Sequence, residues 1–531
     1  MNRRPVTIDL RLDPTDLRRW QLHVVARLAA MDGVTLRIVP TPRRTPVPAG
    51  LELLFALERL LHRGLAETAA DRLDAAHLTR FAASDRPADL VVDLGVDSDA
   101  PADGLFLAVD CDGAPPADGA VAAVVAGTTP VLAVRLAVSG AVRPLARWPV
   151  AVEDRHSALR SAALVLGRAA HLVLTAIDAL RRADAPAAVT LHRAVIDTPP
   201  PRPPAPLAFL ARAFAARLAA RLTRLAGGSA PTWATAWRVR DASRDTDRPD
   251  LDPTPFRVLP DDGRRFFADP FAIADGDRVH LFCEEFPFAT GKGLISCATL
   301  DADGRVGPMR PVLEQDCHLS YPQVFAHAGR VWMVPETSGR RTVELWVADR
   351  LPDRWRLHTV LLDDVDVGDA TLAEIDGTWW LFGATREPWT SSWEALSLWS
   401  APAPTGPWTP HPRNPTVVDV RAARPAGALF PTAAGWCRPV QDCERGYGAG
   451  LAVAALTELT PETHRETVIH RFAPPPPLIG LHTWNRIAVT GRSFEVIDLH
   501  GPRSAMIGER RLDLAHADGD PAASARGGEH G

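Results

Sequence analysis

From Val6 the chain alternates apolar and polar residues (VTIDLRL). It then places apolar residues three and four apart through LRRWQLHVVARLAAM, and returns to alternation in VTLRIV from Val34. A period of two, then one near 3.6, then two again predicts a β-α-β unit, and with it a parallel sheet faced by helices. ADLVVDLG and GLFLAVDC are short apolar runs ending near Gly or Asp, as buried strands of such a sheet do. SALRSAALVLGRAAHLVLTAIDALRR, from Ser157 to Arg182, predicts a long apolar-striped helix that closes an α/β domain over residues 1–190.

The run TPPPRPPAP from Thr198 to Pro206 can form neither helix nor central strand, so 191–232 is expected to hold a stiff linker and the helix after it. In that helix Leu207, Leu210, Phe214, Leu218, Leu222 and Leu225 share one face, and Arg212, Arg217, Arg221 and Arg224 lie elsewhere. Packing against its own protein and peripheral contact with an anionic membrane through 207–225 both suit such a basic amphipathic helix.

Beyond residue 233 the pattern becomes short β-rich runs. A glycine turn followed by an apolar strand recurs as GDRVHLFCEE, GRVWMVPET, GTWWLFGAT, GWCRPVQDC and GRSFEVIDL. The glycines, Gly276, Gly329, Gly377, Gly435 and Gly491, stand roughly 50 to 60 residues apart, about one four-stranded propeller blade. The expectation is an all-β five-bladed propeller over 233–507, with 508–531 a disordered tail. Upstream of each glycine lies another strand: ADPFAIAD, SYPQVFAHA, GDATLAEID, ARPAGALFPTA and HTWNRIAVT. The innermost strand of a blade starts near the axis, so Asp269, Tyr321, Asp369, Arg424 and His482 should converge there.

A length of 531 residues makes the chain multidomain, and a hydrophobic fraction of 46% with 23% charged residues makes it globular. A net charge of -5 argues against nucleic acid as a partner. The N-terminus has no uninterrupted apolar stretch, so the expected location is cytoplasmic. Richness in Ala, Arg and Pro points to a GC-rich bacterial genome. The six cysteines lack a C-x-x-C pair and predict free, buried thiols.

Acidic side chains on strands that otherwise read as buried are costly unless paired or functional. Asp269 and Asp369 are the candidate catalytic carboxylates, Asp269 as base, with Glu336 or Glu285 as proton donor, because cleaving a glycosidic bond needs one protonated and one ionised carboxyl group. Glu284 beside Glu285 joins the same ring of polar groups. Tyr321, Arg424, Arg438, Gln441, Asp442, His482 and Lys292 are candidate substrate-binding residues, the cations suiting a phosphate or carboxylate. Interblade salt bridges and turn caps are the competing reading. Trp332, Trp379 and Trp380 suit either stacking on a sugar or packing in blade cores. No organic cofactor is signalled, and the scattered carboxylates leave room for a divalent cation such as Ca²⁺.

The motifs FFADPF, HLSYPQVF, PETS, WWLF, ARPAGALF, RPVQDCERGYG and GLHTWN, in that order, resemble the N-terminal domain of the glucosamine inositolphosphorylceramide transferase family. The propeller is also similar to that of glycoside hydrolase families 43, 32 and 68. By that resemblance Asp269-Pro270 matches the base and Asp369 the carboxylate that tunes pKa, while Arg424-Pro425 stands where a Glu acid is expected. The N-terminal region resembles the formyltransferase fold through its strand, its Trp20 helix, its second strand and the late GTTPVLAVRLAVSGAVRPLARW; GLFLAVDCDG stands where that fold has a His-rich motif. The resemblances imply a carbohydrate-active protein of bacterial surface-polysaccharide or glycolipid metabolism, taking a glycan, glycolipid or sugar nucleotide in the funnel. The alternative is a non-catalytic carbohydrate-binding scaffold that partners a separate glycosyltransferase.

Overall fold

The computed structural model describes residues 5–44, 50–61, 67–78, 87–101, 103–183, 189, 191–192, 194, 206–225, 230–242, 255–301, 305–489, 491–506, 509–510 and 515–516. The expected polyproline linker lies outside them apart from Pro206. The chain forms two compact units, Met1–Arg221 with Glu387–Ser391, and Leu222–Arg386 with Ser392–Gly531.

The first unit contains a mixed six-stranded sheet of order β2-β1-β3-β4-β5-β6, formed by β1 (Val6–Leu12), β2 (Val34–Pro40), β3 (Leu90–Asp93), β4 (Leu105–Cys111), β5 (Val131–Val138) and β6 (Ala141–Pro149). β1 to β4 pair in parallel, as the β-α-β pattern predicts, and β5 and β6 add an antiparallel hairpin. The helices are α1 (Arg19–Ala29), α2 (Leu51–Leu61), α3 (Pro116–Ala126), α4 (Ala158–Arg182) and α5 (Pro206–Leu225). α4 is long and apolar enough to cross a membrane, yet 72% of its most apolar stretch is buried inside the protein, the state of a core helix. Its N-terminus is held by Glu58 of α2, which accepts hydrogen bonds from Ser157 Oγ and from the Ala158 and Leu159 amides. A carboxylate there satisfies donors that have no partner within the helix.

The second unit is a propeller of five antiparallel sheets. Blade one is β9 (Arg265–Asp275), β10 (Arg278–Pro287), β11 (Leu294–Leu300) and β12 (Arg310–Leu313). Blade two is β13 (Ser320–His327), β14 (Arg330–Thr337), β15 (Thr342–Arg350) and β16 (Arg354–Asp363). Blade three is β17 (Val367–Ile375), β18 (Thr378–Thr385), β19 (Ala395–Ala401) and β20 (Thr409–Pro410), with β21 (Val417–Val418) on β19. Blade four is β22 (Phe430–Thr432), β23 (Gly435–Asp442), β24 (Gly450–Leu459) and β25 (His464–Ala473). Blade five joins β26 (Trp484–Val489) and β27 (Arg492–Gly501) to β7 (Thr232–Asp241) and β8 (Phe256–Val258).

That last sheet closes the ring, because β27 pairs with β7 from Arg492↔Asp241 to Gly501↔Thr232 and so ties the two ends of the domain together. Of the segment read as a tail, Glu509–Arg510 (β28) and Ala515–His516 (β29) instead pair with β8 and β25, adding edge strands to two blades. The expected turns fall at the inner hairpins. Ala328-Gly329 and Asp376-Gly377 carry positive φ at both positions, the geometry whose twist matches that of a two-residue hairpin.

Candidate functional site

β9, β13 and β17 each carry a register irregularity near the axis, opposite Phe282/Glu284, at Ser320/Gln323 and at Gly368/Thr371. Asp269, Tyr321 and Asp369 sit in these bulges with φ of 49°, 43° and 51°. Non-glycine residues in the left-handed region are strained and cluster where a structure over-determines them. The repetition in three successive blades shows the means: an extra residue in the inner strand re-aims its side chain.

Of the five side chains expected at the axis, Asp269, Asp369, Arg424 and His482 lie close enough to act on one another. Asp269 accepts hydrogen bonds from the Tyr321 amide at 3.2 Å and Thr483 Oγ1 at 2.9 Å, and lies 3.5 Å from His482 Nε2. Asp369 is 2.7 Å from Arg424 Nε and accepts from Gln441 Nε2 at 2.7 Å. Glu336 accepts from the Asp369 amide at 2.9 Å and lies 3.7 Å from Arg424. Two clusters, Asp369 with Arg424, Gln441 and Glu336, and Asp269 with His482, are coupled by charge into one network across the blades, which Glu284 shares. Tyr321 joins it through its backbone only. Its hydroxyl meets Thr371 Oγ1 at 3.0 Å and accepts from the Gly427 amide at 2.6 Å, so the ring is a buried joint between blades.

Four other candidates lie away from this network. Glu285 is bound by Arg265 and by Ser296 Oγ at 2.5 Å; Glu284, its neighbour, faces the axis instead, since successive strand residues face opposite ways. Arg438 donates to Glu466 and to the carbonyls of Ala422 and Ala423. Asp442 pairs with Arg471 at 2.9 Å, and Lys292 with the Gln315 carbonyl at 2.6 Å. Trp332, Trp379 and Trp380 are buried in blade cores.

The fully buried Arg438–Glu466 pair has its own signature. Burial would raise the Glu466 carboxyl, but Arg438 and His464 hold it down at about 2. A depressed folded pKa adds stability that is present above the ordinary glutamate value and is lost as pH falls toward about 2. Glu466→Gln is expected to flatten the fall of the urea midpoint across that window, and an unchanged acid limb would contradict it.

Asp498, on β27, was missed by sequence reasoning although it stands in the repeat GRSFEVIDL. It accepts from the amides of His482 at 2.8 Å, Thr483 at 3.0 Å and Asp269 at 3.1 Å, and bonds His482 Nδ1. Burial disfavours an imidazolium, but Asp498 and Asp269 outweigh it and raise His482 above its ordinary value. The ring thus donates to Asp498 through Nδ1 and turns Nε2 toward Asp269 at 3.5 Å. Asp269, His482 and Asp498 also have the proximity of a metal-ligand group. Their oxygens, however, already accept four backbone amides and Thr483 Oγ1, and a hard cation such as Ca²⁺ takes six to eight oxygens. This donor set fits an imidazole held between two carboxylates and does not fit Ca²⁺.

The carboxyl groups of the network are not equivalent. Burial raises Glu284 well above the ordinary range, and Asp269 and Glu336 add to it. Burial acts on Glu336 in the same sense, but Arg424, Ser338 and the Asp369 amide reverse it and hold Glu336 below its ordinary value. Burial also pushes Asp369 up, against the pull of Arg424. Glu284 faces His318 Nε2 at 3.3 Å, and His318 Nδ1 accepts from the Gly293 amide at 2.9 Å, which places the imidazole proton on Nε2. Burial lowers His318, against the pull of Glu336 and Asp269, and the His318 side chain is 43% exposed to solvent.

Against His482 and Arg424 lies a half-buried aromatic rim that the sequence reading did not single out. Trp233 stacks on His482 at 3.9 Å and on His500 at 4.5 Å, Tyr447 stands edge-on to His482, and Trp393 lies 5.8 Å from Tyr447. Arg424 lies 5.1 Å over the Tyr447 ring.

Residues 260–496 match the family model described as glucosamine inositolphosphorylceramide transferase 1, N-terminal. The propeller matches this family's N-terminal domain. The transferase 1 of Oryza sativa subsp. japonica is 34% identical over 210 residues, 39% of this chain and 28% of the relative. That of Arabidopsis thaliana is 31% identical over 226 residues, 42% of this chain and 29% of the relative. The chain thus spans under a third of the length of these relatives. They are plant proteins, and neither the bacterial origin expected from composition nor the cytoplasmic placement expected from the N-terminus finds support in them. Among solved structures, an exo-1,5-alpha-L-arabinanase from a bovine ruminal metagenomic library is 13% identical with a TM-score of 0.35, covering 51% of this chain and 97% of its own. The alpha-L-arabinanase of Cellvibrio cellulosa is 14% identical with a TM-score of 0.33, covering 48% and 93%.

Proposed function

We propose that the propeller binds the sugar headgroup of a glycolipid, or the sugar nucleotide that supplies it, in its axial funnel, and that its carboxyl groups serve acid–base chemistry at a glycosidic bond. The observation that carries this reading is the split between Glu336, held below its ordinary value, and Glu284, raised well above it, within one charge-coupled network. Groups whose environments push their pKa values apart are those equipped to act as base and acid. The rim of Trp233, Trp393 and Tyr447 suits the apolar faces of a sugar ring, and the acceptors beneath suit its hydroxyls and an amino group. The names of the matched relatives, which mention glucosamine and inositolphosphorylceramide, support the same ligand class. In this reading Glu284 takes the donor role expected of Glu285, and Asp269 or Glu336 is the base.

The full chain should bind a member of a glycan and sugar-nucleotide array saturably and quench its tryptophan fluorescence. Trp393→Ala is expected to weaken that binding about tenfold. Unchanged affinity, or no ligand in the array, would count against the funnel as the site.

A second reading is a binding scaffold that partners a separate glycosyltransferase, favoured by Arg424 standing where the resemblance expects an acid. Saturable binding with no released sugar by mass spectrometry selects it. The first unit is read as a degenerate formyltransferase-like module, supported by its β-α-β start with Trp20 and its late antiparallel hairpin.

A further inference from the structure

α5 has two apolar stripes on opposite sides. Phe209 and Ala213 are buried, at 2% and 3% exposure, and Arg212 and Arg217 anchor the same segment by donating to the carbonyls of Val125 and His156. At about 100° per residue, Leu210, Phe214, Leu218 and Leu222 fall on the far side. There they remain exposed, Phe214 at 69% and Leu222 at 55%. Packing against its own protein therefore uses only one of the two stripes. A ridge four residues long at i, i+4 spacing is more apolar surface than scattered single residues explain.

The charge around the ridge narrows what covers it. Between Pro206 and Leu225 the sequence has Arg212, Arg217, Arg221 and Arg224 and no acidic residue, in a chain whose net charge is -5. A second copy would bring arginines against arginines. A nucleic acid would satisfy the arginines and leave the leucines in water. An anionic lipid surface satisfies both, taking the apolar ridge among its acyl chains and the Arg221 guanidinium at its phosphates, with the remaining positive charge nearby. The other exposed leucine face, Leu53, Leu57 and Leu60 on α2, lies on a helix that carries Glu52 and lacks this basic flank.

We propose that α5 docks this protein on an anionic bilayer surface, with Leu210, Phe214, Leu218 and Leu222 inserted and Arg221 at the headgroups. The test is flotation of the full chain with phosphatidylcholine vesicles, with and without phosphatidylglycerol and free of any glycolipid, so that sugar recognition plays no part. The chain should float with the anionic vesicles, be released by high salt, and stay behind with phosphatidylcholine alone. Phe214→Ser with Leu218→Ser should lower the bound fraction at least about tenfold, with circular dichroism and elution volume unchanged; Arg221→Glu should weaken binding to anionic vesicles only, and Leu53→Ser with Leu57→Ser should leave binding intact. Absence of flotation, equal flotation with neutral vesicles, or loss of a concentration-dependent dimer in the Phe214/Leu218 variant would overturn the proposal.

Discussion

Asp369→Ala is expected to lower the stability of the propeller by about 3–5 kcal/mol, because it leaves the Arg424 guanidinium buried without its main partner. Arg424 enters the network from blade four, and Asp369 from blade three. Their contact at 2.7 Å, reinforced by Gln441, is one of the polar links that bridge these blades at the axis. Glu336 at 3.7 Å softens the loss without replacing the contact. Denaturant unfolding followed by tryptophan fluorescence measures the change. Removing both charges, as Asp369→Leu with Arg424→Met, should restore a large part of it, since a missing pair costs less than an orphaned ion. A double variant as unstable as the sum of the singles would show that the two residues do not act as a pair.

Glu284→Gln is expected to reduce turnover of any glycan the funnel processes by about 10²- to 10⁴-fold, the usual contribution of a positioned proton donor. The wild-type rate should fall as pH rises through the raised Glu284 value, because the acid is then spent, and the glutamine variant should lack that limb. His318 carries its proton on the nitrogen that faces Glu284, so it is placed to donate to the carboxylate that remains once Glu284 has given up its own proton. The same raised value makes Glu284 a source of instability at higher pH. The folded state holds a proton that the unfolded chain releases, so stability falls across the interval between the two values, and Glu284→Gln should remove that fall. A basic limb that survives the substitution would assign the proton to another group, Asp269 first among them.

Much of this arrangement is legible in the chain because repetition is. The five glycine turns fix where each inner hairpin reverses, and counting back from them lands on Asp269, Asp369, Arg424 and His482, which do meet. Tyr321 satisfies the same count and yet turns into the blade interface, because a phenol that finds Thr371 and the Gly427 amide is more stable there than at the axis. Glu284 and Glu285 show the limit more sharply. The sequence places both at the end of one strand, and only the observed register, Glu284 opposite Ala268 past a bulge, decides which of them faces the axis.

The sequence by itself determined the periodicities: an α/β region, five repeats of turn and strand, an amphipathic basic helix, and buried acids with no local partner. Those follow from chain-local chemistry, since propensity and alternation depend on residues a few positions apart. What only the tertiary structure decided are the partnerships across long separations: Asp498 beneath His482 and Asp269, Trp233 stacked between His482 and His500, Arg438 committed to Glu466, and one face of α5 left exposed. Each depends on which blades and faces the ring closure brings together, and Glu284 differs from Glu336 only because that closure buries both and sets Arg424 beside Glu336 alone.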